Sequence, residues 1–226
     1  MGAGSSIGFM NLFACGAFGR QPLSHASVFA GKKKQPPCQC RSRAGSRGMR
    51  LEGYTTGDFR RGVPAWKEAL WIAVKCVFFL NPLPWPSKLR VALLRAFGAR
   101  IGCGVVVRAN VNITFPWRLT VGDHVWFGEE VIVLSLAEVT IESHVCLSQR
   151  AFLCTGSHDF RAPAFDLVTK PIIVRAHSWV AAQAFLAPGV EIGTGSLVAA
   201  GSVVLADLPP KSFAQGNPAT VVKRFD

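Results

Sequence analysis

The first fifty residues contain no carboxylate at all, against eight Lys and Arg; Glu52 is the first acid in the chain. The remaining 176 residues carry seventeen basic and thirteen acidic groups, so most of the net charge of +12 belongs to that leading stretch. The high charge therefore gives the rest of the chain no warrant for binding nucleic acid. No apolar run approaches the roughly twenty residues that span a bilayer; Ala69 to Leu80 is twelve, with Lys75 inside it. No unbroken apolar core follows a short basic start, which argues against a secretory signal. The seven cysteines are odd in number and match neither a disulfide framework nor paired zinc ligands. Reduced thiols in a cytoplasmic protein are the simplest account.

What is present is a six-residue ruler of large apolar side chains. It runs Ile101, Val107, Ile113, slips by two, and continues Val121, Phe127, Val133. After a second slip come Ile141, Leu147 and Leu153, and beyond a long insertion Val174, Val180, Leu186, Ile192, Val198 and Val204. Val, Ile, Leu and Phe are about three in ten residues, so fifteen hits by chance have odds of about 10⁻⁸. A helix repeats every 3.6 residues and a flat strand every two, so neither explains the period. A parallel β-helix does: each hexapeptide is a short strand and a turn, and three complete a coil. The fourth position after each ruler residue is Ser, Ala or Val in all but two cases, Trp117 and Leu208. These small residues are expected near the corners.

The organisation follows. Residues 1–50 read as a disordered basic tail, a transit peptide, or translated sequence upstream of a true start at Met49. Residues 51–98 read as an extended arm followed by two helices, Ala65 to Leu80 and Lys88 to Phe97, with Ser87 as N-cap. The prolines at 82, 84 and 86 separate them. These helices cover the end of the solenoid, rest on a membrane interface, or do both. Residues 99–209 form the β-helix and residues 210–226 a C-terminal tail with a turn at Gly216 to Ala219.

Solenoids accept insertions at their corners, and function is commonly built there. His124, His144 and His177 each fall three after a ruler residue, where an outward turn is expected. His158 alone sits in the long insertion. An imidazole, with an intrinsic pKa of about 6.5, offers a neutral nitrogen that can take a proton from an alcohol. Asp159 either supports the ring electrostatically or forms the turn.

The ladder, with Cys154-Thr-Gly-Ser-His-Asp-Phe160, Lys170-Pro171, Trp179-Val-Ala-Ala182, Pro188-Gly-Val-Glu-Ile-Gly193, Ala200-Gly-Ser202 and Gly216-Asn-Pro-Ala219, resembles the hexapeptide-repeat O-acetyltransferases. Tyr54-Thr-Thr-Gly-Asp-Phe59 and Phe115-Pro-Trp-Arg-Leu119 are similar to the colanic acid biosynthesis acetyltransferase branch. The resemblance covers about residues 51–224. It implies a left-handed β-helix, a homotrimer with sites between protomers, acetyl-CoA as donor and a sugar or glycan hydroxyl as acceptor, with no metal. His158 matches the family's catalytic histidine. Trp179, Ala182, the backbone of Ala200, Gly201 and Ser202, and Lys223 with Arg224 match its CoA groove, while Glu130 and Ser135 match its acceptor contacts. Leu205-Ala206 and Thr220 depart from the family's cationic phosphate contacts. Glu142 and Arg175 stand where a small residue is common.

Three other readings stay open on sequence alone. A zinc hydratase on this scaffold needs three converging imidazoles, and no second histidine accompanies His158. A non-catalytic trimeric scaffold would have no use for the His158 loop. N-acetylation of an amino sugar shares all the donor chemistry.

Overall fold

The computed structural model describes residues 51–226, Thr55 and Asp58 excepted. The basic stretch 1–50, with Cys15, Cys38, Cys40 and His25, lies outside the described residues. Two helices come first, α1 (Ala65–Phe78) and α2 (Ser87–Ala96). Five coils follow. The first holds β1 (Arg100–Ile101), β2 (Val106–Val107) and β3 (Asn112–Ile113); the second holds β4 (Leu119–Val121), β5 (Trp126–Phe127) and β6 (Ile132–Leu134). The third holds β7 (Val139–Ile141), β8 (Cys146–Leu147) and β9 (Phe152–Cys154). There the chain leaves the coil as a ribbon, β10 (Gly156–His158) and β11 (Leu167–Thr169). The fourth coil holds β12 (Ile172–Val174), β13 (Trp179–Val180) and β14 (Phe185–Leu186), and the fifth β15 (Glu191–Ile192), β16 (Leu197–Val198) and β17 (Val203–Val204). The chain ends in β18 (Ser212–Gly216) and β19 (Ala219–Arg224).

Parallel pairing sorts the coils into three faces: β1-β4-β7-β12-β15, then β2-β5-β8-β13-β16-β18, then β3-β6-β9-β14-β17. The ruler is what stacks. Val107 pairs with Phe127, Phe127 with Leu147, Leu147 with Val180 and Val180 with Val198. All these side chains are buried, because an inward residue has only its neighbours one coil away for company. Each coil turns through a left-handed backbone position three after the ruler residue: Asn110, His124, Glu130, His144, Arg150, His177 and Gln183 take φ between 54° and 61°. Gly104, Gly195 and Gly201 occupy the same position with no Cβ penalty.

The small-residue register holds on the first two corners and, on the third, holds at Val190 after Leu186 but fails in the first three coils. After Ile113, Val133 and Leu153 the extra residues shift the corner, and Phe115, Ser135 and Thr155 are buried there. Trp117, Ala137 and Ser157 are displaced outward.

The helices close the first coil. Asn110 N–H donates to Phe79 O (2.8 Å) and Trp71 Nε1 to Ile113 O (3.1 Å), satisfying backbone groups with no coil beyond them. Arg90 donates to Phe78 O at 2.9 Å. Ser87 is not the N-cap: it is the first residue of α2 after Pro86, and its hydroxyl accepts the Val107 N–H at 2.8 Å instead. The expected C-terminal tail is also ordered differently. β18 pairs in parallel with β16 and starts a sixth coil, and β19 folds back on it antiparallel. Among the described residues no helix is long and apolar enough to cross a membrane.

Candidate active site

The insertion that interrupts the ruler is a ribbon with a fixed histidine. His158 pairs with Leu167 across β10 and β11, and Asp159 N–H to Asp166 O (2.9 Å) extends the ladder by one step. Beyond it the tip doubles back through two tight turns, Ala162 N–H to Asp159 O and Phe165 N–H to Ala162 O. Phe165 takes φ +54°, a conformation a bulky residue avoids unless its surroundings impose it. In this pose Phe165 meets His158 twice. Its ring stacks on the imidazole at 4.2 Å with 3° between planes, and its carbonyl lies 2.9 Å from Nδ1.

That second contact decides the tautomer. A carbonyl oxygen only accepts, so Nδ1 carries a proton, and in the neutral ring the lone pair is on Nε2. The ring is half-buried, and the arm brings Tyr54 to 5.6 Å on centroids. Neither Tyr54 nor Phe165 was foreseen as a neighbour of His158. The signal for Tyr54 was its place in the arm motif; Phe165 gave none.

Asp159 does not face the ring. Its carboxylate accepts the Arg161 N–H at 2.9 Å, an Asx turn that shapes the ribbon tip. Cys154, just before the ribbon, is buried, and burial pushes its thiol upward, which disfavours the thiolate a nucleophile needs.

The residues expected to hold the donor lie elsewhere on the prism. Trp179 points outward from the second face, half-exposed, with Nε1 donating to Ser148 Oγ one coil earlier at 2.8 Å. Ala182 and Gly201 stack at the next corner, where Gly201 N–H donates to Ala182 O at 2.9 Å. A Cβ on Gly201 would meet nothing within 4 Å, so open space lies beside that backbone. Ala200 is exposed in the same turn. Ser202 departs from expectation: it is buried, its hydroxyl accepts the Gly216 N–H, and its own N–H and C=O serve Ala199 and Phe185. Its backbone N–H, the group expected to face the groove, is engaged within the corner. Lys223 and Arg224 are exposed on β19.

Of the two expected acceptor contacts, Glu130 sits at a left-handed corner and pairs with Arg150 at 2.5 Å, whose guanidinium holds its carboxyl below the usual range. Ser135 is corrected by the structure. It is fully buried, accepts the Phe115 N–H at 2.8 Å and donates to Phe115 O at 3.0 Å, so it braces that corner rather than facing a solute.

A cleft of about 530 Å³ opens on the second face over the first three coils. Trp126 and Cys146 form its floor, and Arg108, Glu129 and Gln149 its polar side. Arg108 donates to Glu129 at 2.7 Å and holds that carboxyl below its ordinary value; Gln149 adds a 3.3 Å bond. Sequence reasoning missed this cleft. The available signal was the residue preceding each ruler position, which must face out.

His158 and the residues expected to hold the donor occupy different corners of the triangular section. The ribbon leaves between the third face and the first, whereas Ala182 and Gly201 lie between the second and the third.

No protein-family model matches the chain. Individual proteins do. A protein of Escherichia coli (strain K12), provisionally named colanic acid biosynthesis acetyltransferase WcaF, is 42% identical over 173 residues, covering 76% of this chain and 95% of its own length. A provisionally named acetyltransferase of Schizosaccharomyces pombe is 32% identical over 184 residues, 79% of each chain. Among solved structures, a hexapeptide-repeat acetyltransferase of Vibrio cholerae O1 biovar eltor, complexed with acetyl coenzyme A, superposes with a TM-score of 0.65. It is 26% identical, covering 72% of this chain and 88% of the other. The chain belongs to the hexapeptide-repeat acetyltransferases, within the branch that includes the colanic acid biosynthesis acetyltransferase, and is an acyltransferase.

Proposed function

We propose that the protein transfers acetyl from acetyl-CoA to a sugar hydroxyl during assembly of an extracellular or capsular polysaccharide, with His158 as general base. The observation that carries this is the Nδ1 contact to Phe165 O at 2.9 Å, which leaves Nε2 as the basic nitrogen. Nε2 removes the hydroxyl proton as the sugar oxygen attacks the thioester carbonyl. Backbone N–H donors stabilise the oxyanion. The carbon–sulfur bond then breaks, and the imidazolium returns its proton to the CoA thiolate. Every proton is accounted for without an acyl-enzyme, in keeping with the buried Cys154.

Donor binding is assigned to Trp179 against the pantetheine arm, to Ala182, Ala200 and Gly201 along the groove, and to Lys223 and Arg224 near the phosphates. The cleft bearing Arg108, Glu129 and Gln149 suits a polyhydroxylated acceptor, with Trp126 as a stacking floor. The separation of corners supports a homotrimer, in which a second copy would bring its groove to the first copy's His158. The outward rows support this reading. The second face shows Val106, Trp126, Cys146, Trp179, Leu197 and Phe213, where the first shows Arg100, Thr120, Thr140, Ile173 and Glu191. We place the enzyme in the cytoplasm, held peripherally at the inner face of the membrane.

Release of free CoA thiol from acetyl-CoA, screened against sugars with single hydroxyls blocked, tests the reading. Turnover with a hydroxyl acceptor that drops in His158→Ala supports it. Turnover only with amino sugars would move the assignment to N-acetylation, and none with any acceptor would favour a scaffold.

A further inference from the structure

α1 is built inside out for a surface helix. Its three charged residues all lie on the half turned toward the body, each with a partner there. Lys75 donates to Asn112 Oδ1 at 3.0 Å, Glu68 pairs with Arg61 at 2.7 Å, and Lys67 sits 5.7 Å from the Trp117 ring centroid. Burial pushes the Lys75 ammonium downward, a cost that an outward position would have avoided. The opposite stripe, Trp66, Leu70, Ala73, Val77 and Leu80, follows helical spacing, is exposed, and contains no charge. Trp66 is 67% exposed, Leu70 50% and Val77 52%. The turn after the helix adds Leu83, also exposed, and Trp85, anchored through Nε1 to Val77 O at 3.0 Å.

The charge around this stripe says what covers it. Residues 99–226 carry ten basic and ten acidic groups and are neutral, whereas residues 51–98 carry seven basic and three acidic. The net charge of residues 51–226 therefore falls within the arm and the two helices, where Lys67, Lys75 and Arg90 turn inward and Arg60, Arg61, Lys88 and Arg95 are exposed. A second copy laid on this stripe would bring two such positive regions together, which costs energy; an anionic surface would be attracted. Tryptophans flanking the apolar stripe suit the boundary between headgroups and acyl chains. At fourteen residues the helix is too short to cross a bilayer but long enough to lie in its surface.

We propose that the outward stripe of α1, with the Leu83–Trp85 turn, docks on an anionic membrane surface. This deepens the functional reading by naming the lipid chemistry that holds the enzyme beside its acceptor. Membrane binding needs no turnover, so the two readings fail separately. The test floats the full-length protein with vesicles of phosphatidylcholine alone or with about 30% phosphatidylglycerol. We expect flotation only with the anionic vesicles, weakened by 0.5 M salt. Leu70→Glu with Val77→Glu should reduce vesicle partitioning at least ~10-fold while the melting temperature and CoA release with a free sugar stay unchanged. If the double Glu variant melts early, Leu70→Ser with Val77→Ser takes its place, with the same expectation. Three results would overturn the proposal. They are no binding by the parent protein, parental binding by the variants, and a smaller assembly by sedimentation, which would make the stripe a contact between copies.

Discussion

Among the described residues three histidines repeat and one does not, and their surroundings differ accordingly. His124, His144 and His177 take the same left-handed corner in successive coils, with φ of 54° to 60°, and their rings stack at 5.2 and 5.0 Å. They are exposed and face one another. Parallel rings one coil apart cannot converge on a common atom, so the ladder is a consequence of the fold's period. His158 leaves that period. Its ring is clamped by Phe165 on one side, approached by Tyr54, and fixed in one tautomer by a carbonyl. The coil supplies position by repetition, and the ribbon that breaks it holds the histidine proposed for the chemistry.

The largest effect expected from that contrast is on turnover. His158→Ala should lower acetyl transfer by about 10²–10⁴, or roughly 3–5 kcal/mol in the barrier, with the melting temperature unchanged. The triple replacement of His124, His144 and His177 by Ala should leave turnover within about twofold. CoA release measured side by side decides it. Equal losses in both variants would erase the distinction drawn here.

The converse prediction concerns the coil interior. Leu147 is fully buried between Phe127 and Val180 on the second face. Leu147→Ala should cost about 2–5 kcal/mol of stability, because neighbours locked in their own coils cannot collapse into the space. Turnover at a temperature where the variant stays folded should be near that of the parent. Thermal and denaturant unfolding alongside CoA release would show whether stability and chemistry separate by region.

Within the ribbon, Phe165→Gly sharpens the comparison. Glycine accepts a positive φ and keeps the carbonyl that orients Nδ1, but it removes the stacked ring. We expect kcat to fall about tenfold, a little over 1 kcal/mol, with KM for acetyl-CoA little changed. A loss as large as that of His158→Ala would mean the ring, not the carbonyl, holds the imidazole in place.

The same division explains what could be read before the structure. The ruler was legible because an inward position in a closed prism tolerates little besides a large apolar side chain. All fifteen residues pair where the period puts them. The sixth coil was illegible for the same reason inverted: its inward residue is Ala214, buried opposite Val198 but too small to count on the ruler. Ser135 was expected as an acceptor contact through the family resemblance alone; here two bonds to the Phe115 backbone offset its burial. His158 stood out by position alone, but its partner Phe165 lies seven residues on and was brought back by turns that carry no glycine signal. Local chemistry built from non-local contacts leaves little trace in a linear pattern.

The smallest effect lies where two departures from the repeat meet. Glu142 and Arg175 each replace a small residue after a ruler position, and they do so in adjacent coils. Arg175 donates to Glu142 at 2.8 Å and to Glu191 at 2.7 Å, and the Ala176 N–H donates to the other Glu142 oxygen at 2.9 Å. The hydrogen bond from Arg175, more than any other cause, holds the Glu142 carboxyl below its ordinary value of 4.5. A carboxyl whose folded value is depressed contributes stability above its unfolded value, and loses it as pH falls through the folded one. Both side chains are about a third exposed, so solvent limits the contribution to at most about 1 kcal/mol. Glu142→Gln should therefore lower the melting temperature slightly at pH 7, and the gap from the parent should begin to narrow as pH falls below about 4. Unfolding followed from pH 7 to pH 3 gives the answer. A gap undiminished at pH 3 would show that Glu142 acts through packing or its backbone bond, not through charge.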